Sequence, residues 1–263
     1  MEYIIKDLHQ AFDMDGLEEV QQSAWGYDDR DLTPSSLFTV HAHMGGIVCA
    51  AFAAAAPSLP VGFAYSFPAL YNGKMVQHSH MLAIRPEHRA SGLAVRLKQH
   101  QRTRALALGY TLMTWTFDPL LTKNARLNLG KLNAKAVSYH PNWYSIRGGI
   151  YAGLPADRFF VEWDLTKEFA PRPNVAPHGE IALQAAGIAA GVPNLEVQDK
   201  VVLIESPRDI DALKKTDLVA AQTWREAHRL VFAHYLTRGY VVTDLHDTGE
   251  QTFYHLEQSF IFG

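Results

Sequence analysis

The chain has 263 residues, 48% of them hydrophobic and 19% charged, and 24 Lys and Arg against 27 Asp and Glu give a net charge of −3. That length suits one large domain or two small ones with a sizeable core, and the charge balance argues against general nucleic-acid binding by electrostatics. Cys49 is the only cysteine, which excludes an internal disulfide and any zinc site built on cysteines.

Residues 3–8 read as a short strand. Residues 13–25 read as a helix with Leu17, Val20, Gln21 and Ala24 on one face. Pro34 opens a second helix over 35–43, because proline is tolerated in a first turn, and Gly45-Gly46 breaks it. Three strands follow, at 47–56, 61–70 and 74–84. Cys49 sits in the apolar run of the first and reads as a buried strand residue rather than a catalytic thiol. Asn72-Gly73 is the preferred hairpin dipeptide, so this middle section is expected to be an antiparallel meander.

A helix is predicted over 92–108, with Leu93, Ala94, Leu97, Gln101, Ala105 and Leu108 on the inner face. Arg96, Lys98, Arg102 and Arg104 are expected on its solvated side. Residues 110–117 form the next strand, parallel to the one before the helix if the three make one β-α-β unit. A helix at 121–132 and strands at 137–139 and 159–165 complete this part. Residues 166–198 are proline-rich and read as a linker with some local helix. Beyond them come a strand at 201–205, helices at 209–214 and 217–237, and strands at 240–245 and 252–258. Leu236-Thr237-Arg238-Gly239-Tyr240 echoes Leu106-Ala107-Leu108-Gly109-Tyr110, which marks the tail as a partial structural repeat. The longest apolar run, 50–56, is too short to span a bilayer, and the N-terminus lacks a signal-peptide pattern. A soluble cytoplasmic protein is the expectation.

The stretch from His78 to Tyr110 carries the most chemistry. An apolar strand runs into a turn, and Arg89-Ala90-Ser91-Gly92-Leu93-Ala94 then leads into a helix. A helix start leaves N–H groups without intrahelical partners, and the dipole there favours negative charge. Gly92 allows close backbone approach and Ala94 keeps the next turn slim, while Arg89 and Arg85 can add positive charge. The expected ligand is a pyrophosphate.

This hexapeptide resembles the Arg/Gln-x-x-Gly-x-Gly/Ala signature of the GNAT acyl-CoA-dependent N-acyltransferases, and Leu82-Ala83-Ile84-x-Pro86-Glu87-x-Arg89 resembles the strand and turn before it. The resemblance covers residues 1 to about 165. It implies an α/β fold: a mixed, mostly antiparallel sheet with a β-α-β cofactor unit, here followed by an α+β C-terminal extension. The division it implies is 1–165 for the acyltransferase domain, 166–198 for the linker and 199–263 for the extension. Trp224, Arg225 and Arg229 resemble a motif of a GNAT branch that has such a tail. By the same resemblance, acyl-CoA would lie on Arg89, Ala90, Ser91, Gly92, Leu93 and Ala94. Its pantetheine arm would pair with the backbone of Leu82, Ala83 and Ile84 and contact Asn124; a helix cap is the equal alternative for Asn124.

Acyl transfer to an amine needs a base for the amine proton, polarisation of the carbonyl and a proton for the leaving thiolate. His78 and His80 are the base candidates, with His80 favoured. They alternate on a strand and so leave one face, and an imidazole titrates near neutrality. His-x-His ahead of this loop is similar to the arylalkylamine N-acetyltransferases, in which such a pair relays the amine proton; the competing reading is two hydrogen-bonded core histidines. The family's usual acid, a tyrosine in the helix after the fifth strand, is replaced by Leu129. Tyr139 and Tyr144 lie downstream, and Tyr144 is the candidate acid, with water as the alternative.

The sequence thus points to transfer of an acetyl or succinyl group from acetyl-CoA or succinyl-CoA to a small-molecule amine, an amino acid among the options. No metal, nucleic acid or membrane is expected, and a homodimer stays open. Arg147, Arg158, Arg225 and Arg229 are available for a substrate carboxylate. An acyl-CoA-binding sensor or scaffold without turnover is the alternative, which Leu129 favours and the histidine pair disfavours.

Overall fold

The computed structural model describes residues 1–144, 154–168 and 170–259. Packing divides the chain into two compact units: Met1–Trp115 with Asp164–Glu168, and Thr116–Trp163 with Phe169–Gly263. The sequence reading placed its divisions at 165 and 198 instead.

The first unit runs β1 (Tyr3–Asp7), α1 (Leu17–Trp25), α2 (Ser35–His43), β2 (Ile47–Ala53), β3 (Ala56–Tyr71), β4 (Lys74–Ile84), α3 (Leu93–Ala107) and the start of β5 (Leu112–Phe117). Strands β1 to β4 pair antiparallel in sequence order, and β5 pairs parallel with β4. The expected meander and β-α-β step are both present. Period-two burial splits β2 cleanly. Val48, Ala50 and Phe52 pack with Leu17, Val20 and Phe38 of α1 and α2. Cys49, Ala51 and Ala53 pack with Leu93 and Leu97 of α3. Helices therefore cover both faces of this sheet.

Three local expectations for this unit need correction. The predicted helix 13–25 is a 3₁₀ turn at Ala11–Met14 and then α1. Gly16 separates them at φ 83°, a left-handed conformation that side chains disfavour. On α3, Lys98 is not on a wet face but only 2% exposed. Leu108, expected inside, is exposed just past the end of α3.

The second unit holds α4 (Thr122–Ala125), β6 (Lys135–Tyr144), β7 (Ala156–Asp164), β8 (Glu180–Leu183), β9 (Ala185–Ala186), β10 (Ala189–Ala190), β11 (Val201–Ser206), α5 (Ile210–Thr216), α6 (Leu218–Thr237), β12 (Tyr240–Asp247) and β13 (Thr252–Gln258). Its main sheet has the order β7-β6-β12-β13-β11-β8. The hairpin β6–β7 thus lies beside the hairpin β12–β13, and each hairpin follows a helix. The echo seen in the sequence is a local one: α3 and α6 each end on a glycine in the left-handed conformation, Gly109 at φ 87° and Gly239 at φ 85°, ahead of a strand. The predicted helix 121–132 changes pitch: α4 passes into a π-helical turn over Arg126–Lys131. The Arg126 guanidinium crosses directly over Gly130, where a Cβ would have to displace it, to reach Asp244 at 3.2 Å. The proline-rich segment carries short strands β8 to β10 where local helix was expected. Its Arg172 is tied to the Gly130 carbonyl and to Asn133.

Helix α6 buries the face that its spacing predicts. Trp224, Arg225, His228, Phe232 and Tyr235 are all inside, while Leu218 stays exposed. Phe232 meets Phe159 at 4.6 Å, Tyr254 at 5.3 Å and Tyr139 at 5.8 Å between ring centroids. Fully burying such side chains contributes roughly 1.5–3 kcal/mol each, so the tail is an integral part of this unit's core. Among the described residues no helix is long and apolar enough to cross a membrane.

Candidate active site

Strand β4 carries both halves of the predicted chemistry. His78 and His80 leave one face, as alternation requires, with ring centroids 6.5 Å apart. The pairing then slips: Tyr65 lies opposite Met81 but Ser66 lies opposite Ser79, so His80 is an extra residue in β4. Such a bulge shifts the phase of a strand. Consequently Met81 and Ala83 join the core beneath α1 and α2, whereas Leu82 and Ile84 pack on the α3 side. The parallel register with β5 holds at Gln77–Met113 and His78–Thr114 and ends there. Past His78 the two strands share no registered pair.

Around the histidines lies a wall of rings that the sequence reading did not assemble. Phe67 is 5.5 Å from His78 and 5.9 Å from His80. Tyr65 is 6.1 Å from His80, and its hydroxyl is hydrogen-bonded to His41 Nδ1. The signal for Tyr65 and Phe67 was their alternation with Phe63 along β3. Nothing in the sequence places His41 beside them, since that depends on how α2 docks. His78 Nδ1 lies 3.0 Å from Thr114 Oγ1. Burial, with added repulsion from His80 and Lys98, pushes the His78 pKa down to about 4. His80 is also lowered, by the crowding of protein around it and by His41. Its own surface is nonetheless exposed, which is the situation of a side chain on a cleft wall. Both rings are neutral at pH 7 and able to accept a proton.

The turn after β4 leaves the start of α3 open. Gly92 caps α3 at φ 79°, and no side chain caps the helix. A Cβ there would meet nothing within 4 Å, so the approach to the first turn is open. The side chains nearby turn into the fold. Arg89 donates to the carbonyls of Ile84 and Ala24, at 3.2 and 2.7 Å. Ser91 donates to the His88 carbonyl, and Arg85 to that of Pro60. The two arginines therefore brace the loop, and no side chain covers the first turn at Gly92, Leu93 and Ala94. Ala90 itself sits at φ 57°, a strained choice for a residue with a Cβ.

The remaining expected residues belong to the second unit. Asn124 is exposed on α4, and Leu129 is fully buried in the π-turn. Tyr144 ends β6 with the Arg158 guanidinium over its ring at 5.0 Å. Tyr139 donates to Asp157 at 2.6 Å, and burial raises its pKa. The carboxylate partners of the tail arginines are internal. Arg225 meets both oxygens of Asp118 at 2.7–2.8 Å, and Arg229 forks onto Asp157 at 2.6 and 2.7 Å. Arg158 lies 3.7 Å from Asp118. Arg147 lies outside the described residues. Among the described residues no group of three or more His, Cys, Asp or Glu could hold a metal ion.

No protein-family model matches the sequence, and no curated protein does. Solved structures do match. The ribosomal-protein-S18-alanine N-acetyltransferase from Escherichia coli superposes with a TM-score of 0.51 at 12% identity, over 64% of this chain and 96% of its own. The chain carries the GNAT acyltransferase fold. A putative acetyltransferase from Salmonella typhimurium, solved with its cofactor acetyl-CoA, matches at TM-score 0.50 and 16% identity, over 65% of this chain and 98% of its own. A chain of the NatC complex bound to Gag peptide and CoA matches at 0.50 and 14%, over 63% and 100%. The GNAT fold therefore accounts for nearly two thirds of the chain, and the rest is additional.

Proposed function

We propose that this protein is an acyl-CoA-dependent N-acyltransferase acting on a small amine. One observation carries the reading: a single strand presents the neutral His78–His80 pair and then runs directly into the uncapped, open helix start at Gly92. The diphosphate of CoA binds the N–H groups of that first turn, and the pantetheine arm follows β4 where β5 has left it. The amine nitrogen attacks the thioester carbonyl, its proton passes to His80 with His78 assisting, the C–N bond forms and the C–S bond breaks. Tyr139 is committed to Asp157, which leaves Tyr144 and water as the proton sources for the departing thiolate.

Acetyl is the acyl group we assign. The acetyl-CoA of the Salmonella relative supports it. Succinyl transfer or an amino-acid acceptor would call on a cation, and Arg225 and Arg229 are already matched by Asp118 and Asp157. A thiol-release screen of acetyl-CoA and succinyl-CoA against L- and D-amino acids and simple amines tests the reading. Release with acetyl-CoA and a neutral-bodied amine is expected. CoA binding without release from any amine would replace the enzyme by a sensor, as the buried Leu129 at the usual tyrosine position would suit.

A further inference from the structure

Lys98 is the feature that the proposed chemistry leaves unused. It lies on α3, on the opposite face of β4 from the histidines, and is 2% exposed. Its Nζ is 2.9 Å from Ser79 Oγ, 2.9 Å from Gln101 Oε1 and 3.3 Å from Met113 Sδ. It also lies 4.2 Å from the centre of the Trp115 ring. Ser79 in turn donates to Gln101 Oε1 at 2.9 Å, which closes a triangle of strand, helix and amine.

The position of this triangle along the strands is informative. The last registered pairs between β4 and β5 are Gln77–Met113 and His78–Thr114. Continued by one step, the ladder would next join Ser79 to Trp115. Lys98 touches both of them, one on each strand, and Met113 one pair earlier on β5. Its amine is thus inserted from the α3 side at the point where the parallel strands part.

We propose that Lys98 is a positioning residue: its amine bolts β4 to β5 at their fork and so sets the width of the slot that receives the acyl-thioester and the placement of His78 beside it. The part of this that concerns acyl transfer rests on the function proposed above; the bolt itself does not. A buried amine is costly, and desolvation drives the Lys98 pKa down to about 7, so a methionine there would be the cheaper way to fill the space. The titratable neighbours that matter are His78 and His80 on β4, His41 on α2 beyond them, and Cys49 on β2 beside Lys98.

Lys98→Met and Ser79→Ala in the full chain test the proposal. Backbone amide exchange in β4 and β5 around Ser79–Leu82 and Thr114–Trp115 is expected to quicken about tenfold or more, with β2 and β3 unchanged and CoA affinity within about threefold by calorimetry. In Lys98→Met the ring titration of His78, followed by NMR, should move up by about one unit, because a nearby cation no longer opposes the imidazolium. Turnover should fall ~10–100-fold in kcat rather than in KM for acyl-CoA, the scale expected of an ångström-level misplacement. Unchanged exchange in both strands, or an unmoved His78 titration in a folded Lys98→Met, overturns the proposal. Should Lys98→Met fail to fold, Ser79→Ala decides by the same exchange measurement, since it removes a single hydroxyl from the triangle. If the wild-type protein acylates no amine, the proposed function fails while exchange and the His78 titration still decide the role of Lys98.

Discussion

The two units treat buried charge in opposite ways. In the second, ions are matched: Arg225 with Asp118, Arg229 with Asp157 and Arg126 with Asp244. Asp157 also accepts from Tyr139 and from the Asn142 backbone, and these bonds hold its carboxyl below the usual range despite burial. In the first unit, burial drives His78 and Lys98 towards their neutral forms, and their contacts run to hydroxyls, an amide, a thioether and ring faces. Matched ions fix which element lies against which. Groups held near the edge of ionisation keep a proton available for transfer, and perturbed pKa values gather at functional sites for that reason. The matched ions of the second unit are thereby assigned to stability, while the proposed chemistry rests on neutral groups of the first.

That assignment can be broken most forcefully at Arg225. Arg225→Met strands the buried Asp118 carboxylate, and losing one partner of a buried pair costs about 3–5 kcal/mol. Chemical denaturation should show this loss, whereas CoA affinity should hold; a stable variant would mean the network is not structural. The converse experiment removes both histidines. His78→Ala with His80→Ala should keep the melting transition and CoA binding and lose ~10²–10⁴-fold in turnover, the usual worth of a general base. Near-wild-type rates from pH 6 to 9 (roughly the span of an imidazole titration) would remove the pair from the mechanism.

Gly92→Val is a smaller perturbation. A branched residue at φ 79° carries roughly 1–2 kcal/mol of strain, and its side chain stands where the diphosphate would lie. Calorimetry should show CoA affinity reduced about tenfold or more, and an unchanged Kd in a folded variant would move the cofactor elsewhere. Acid sharpens the comparison further. His78 and His228 are both buried, and their pKa values fall to about 4 and about 3 from the ordinary 6.5. Between those values and 6.5 the unfolded chain binds more protons than the folded one. Stability is therefore complete above about pH 6.5 and drains away as pH falls towards 4 and then 3. Urea midpoints that stay flat from pH 7 to 4 would contradict this. The smallest effect is local: Asp209 accepts from the Asp211 and Ala212 amides at the start of α5, and Asp209→Ala should cost about 1 kcal/mol, without any change in rate.

Much of this was readable from the chain because punctuation was strong where it counted. Pro34 and Gly45 bracket α2, and Asn72-Gly73 sets the β3–β4 hairpin, so both α2 and β4 were legible to the residue. The shared face of the histidine pair and the open helix start at Gly92 were legible too, since each depends on a few consecutive residues. What escaped depended on distant packing. Lys98 reads as a wet helical lysine until Ser79 and Trp115 are brought beneath it. Strands β8 to β10 span two to four residues each and are too short to show a period. The pairing of Arg229 with Asp157 joins positions 72 apart in sequence, and no spacing rule announces it.

The extra residue at His80 has one more consequence. Up to it, the even-numbered His78 and His80 share the face of Tyr65 and Phe67; beyond it the beat is reversed, so that the even-numbered Leu82 and Ile84 look the other way. One strand thereby serves two clients out of step. A substitution at an even position up to 80 therefore alters the histidine face, whereas one at an even position beyond it alters the α3 side, so the two halves of the strand can change independently.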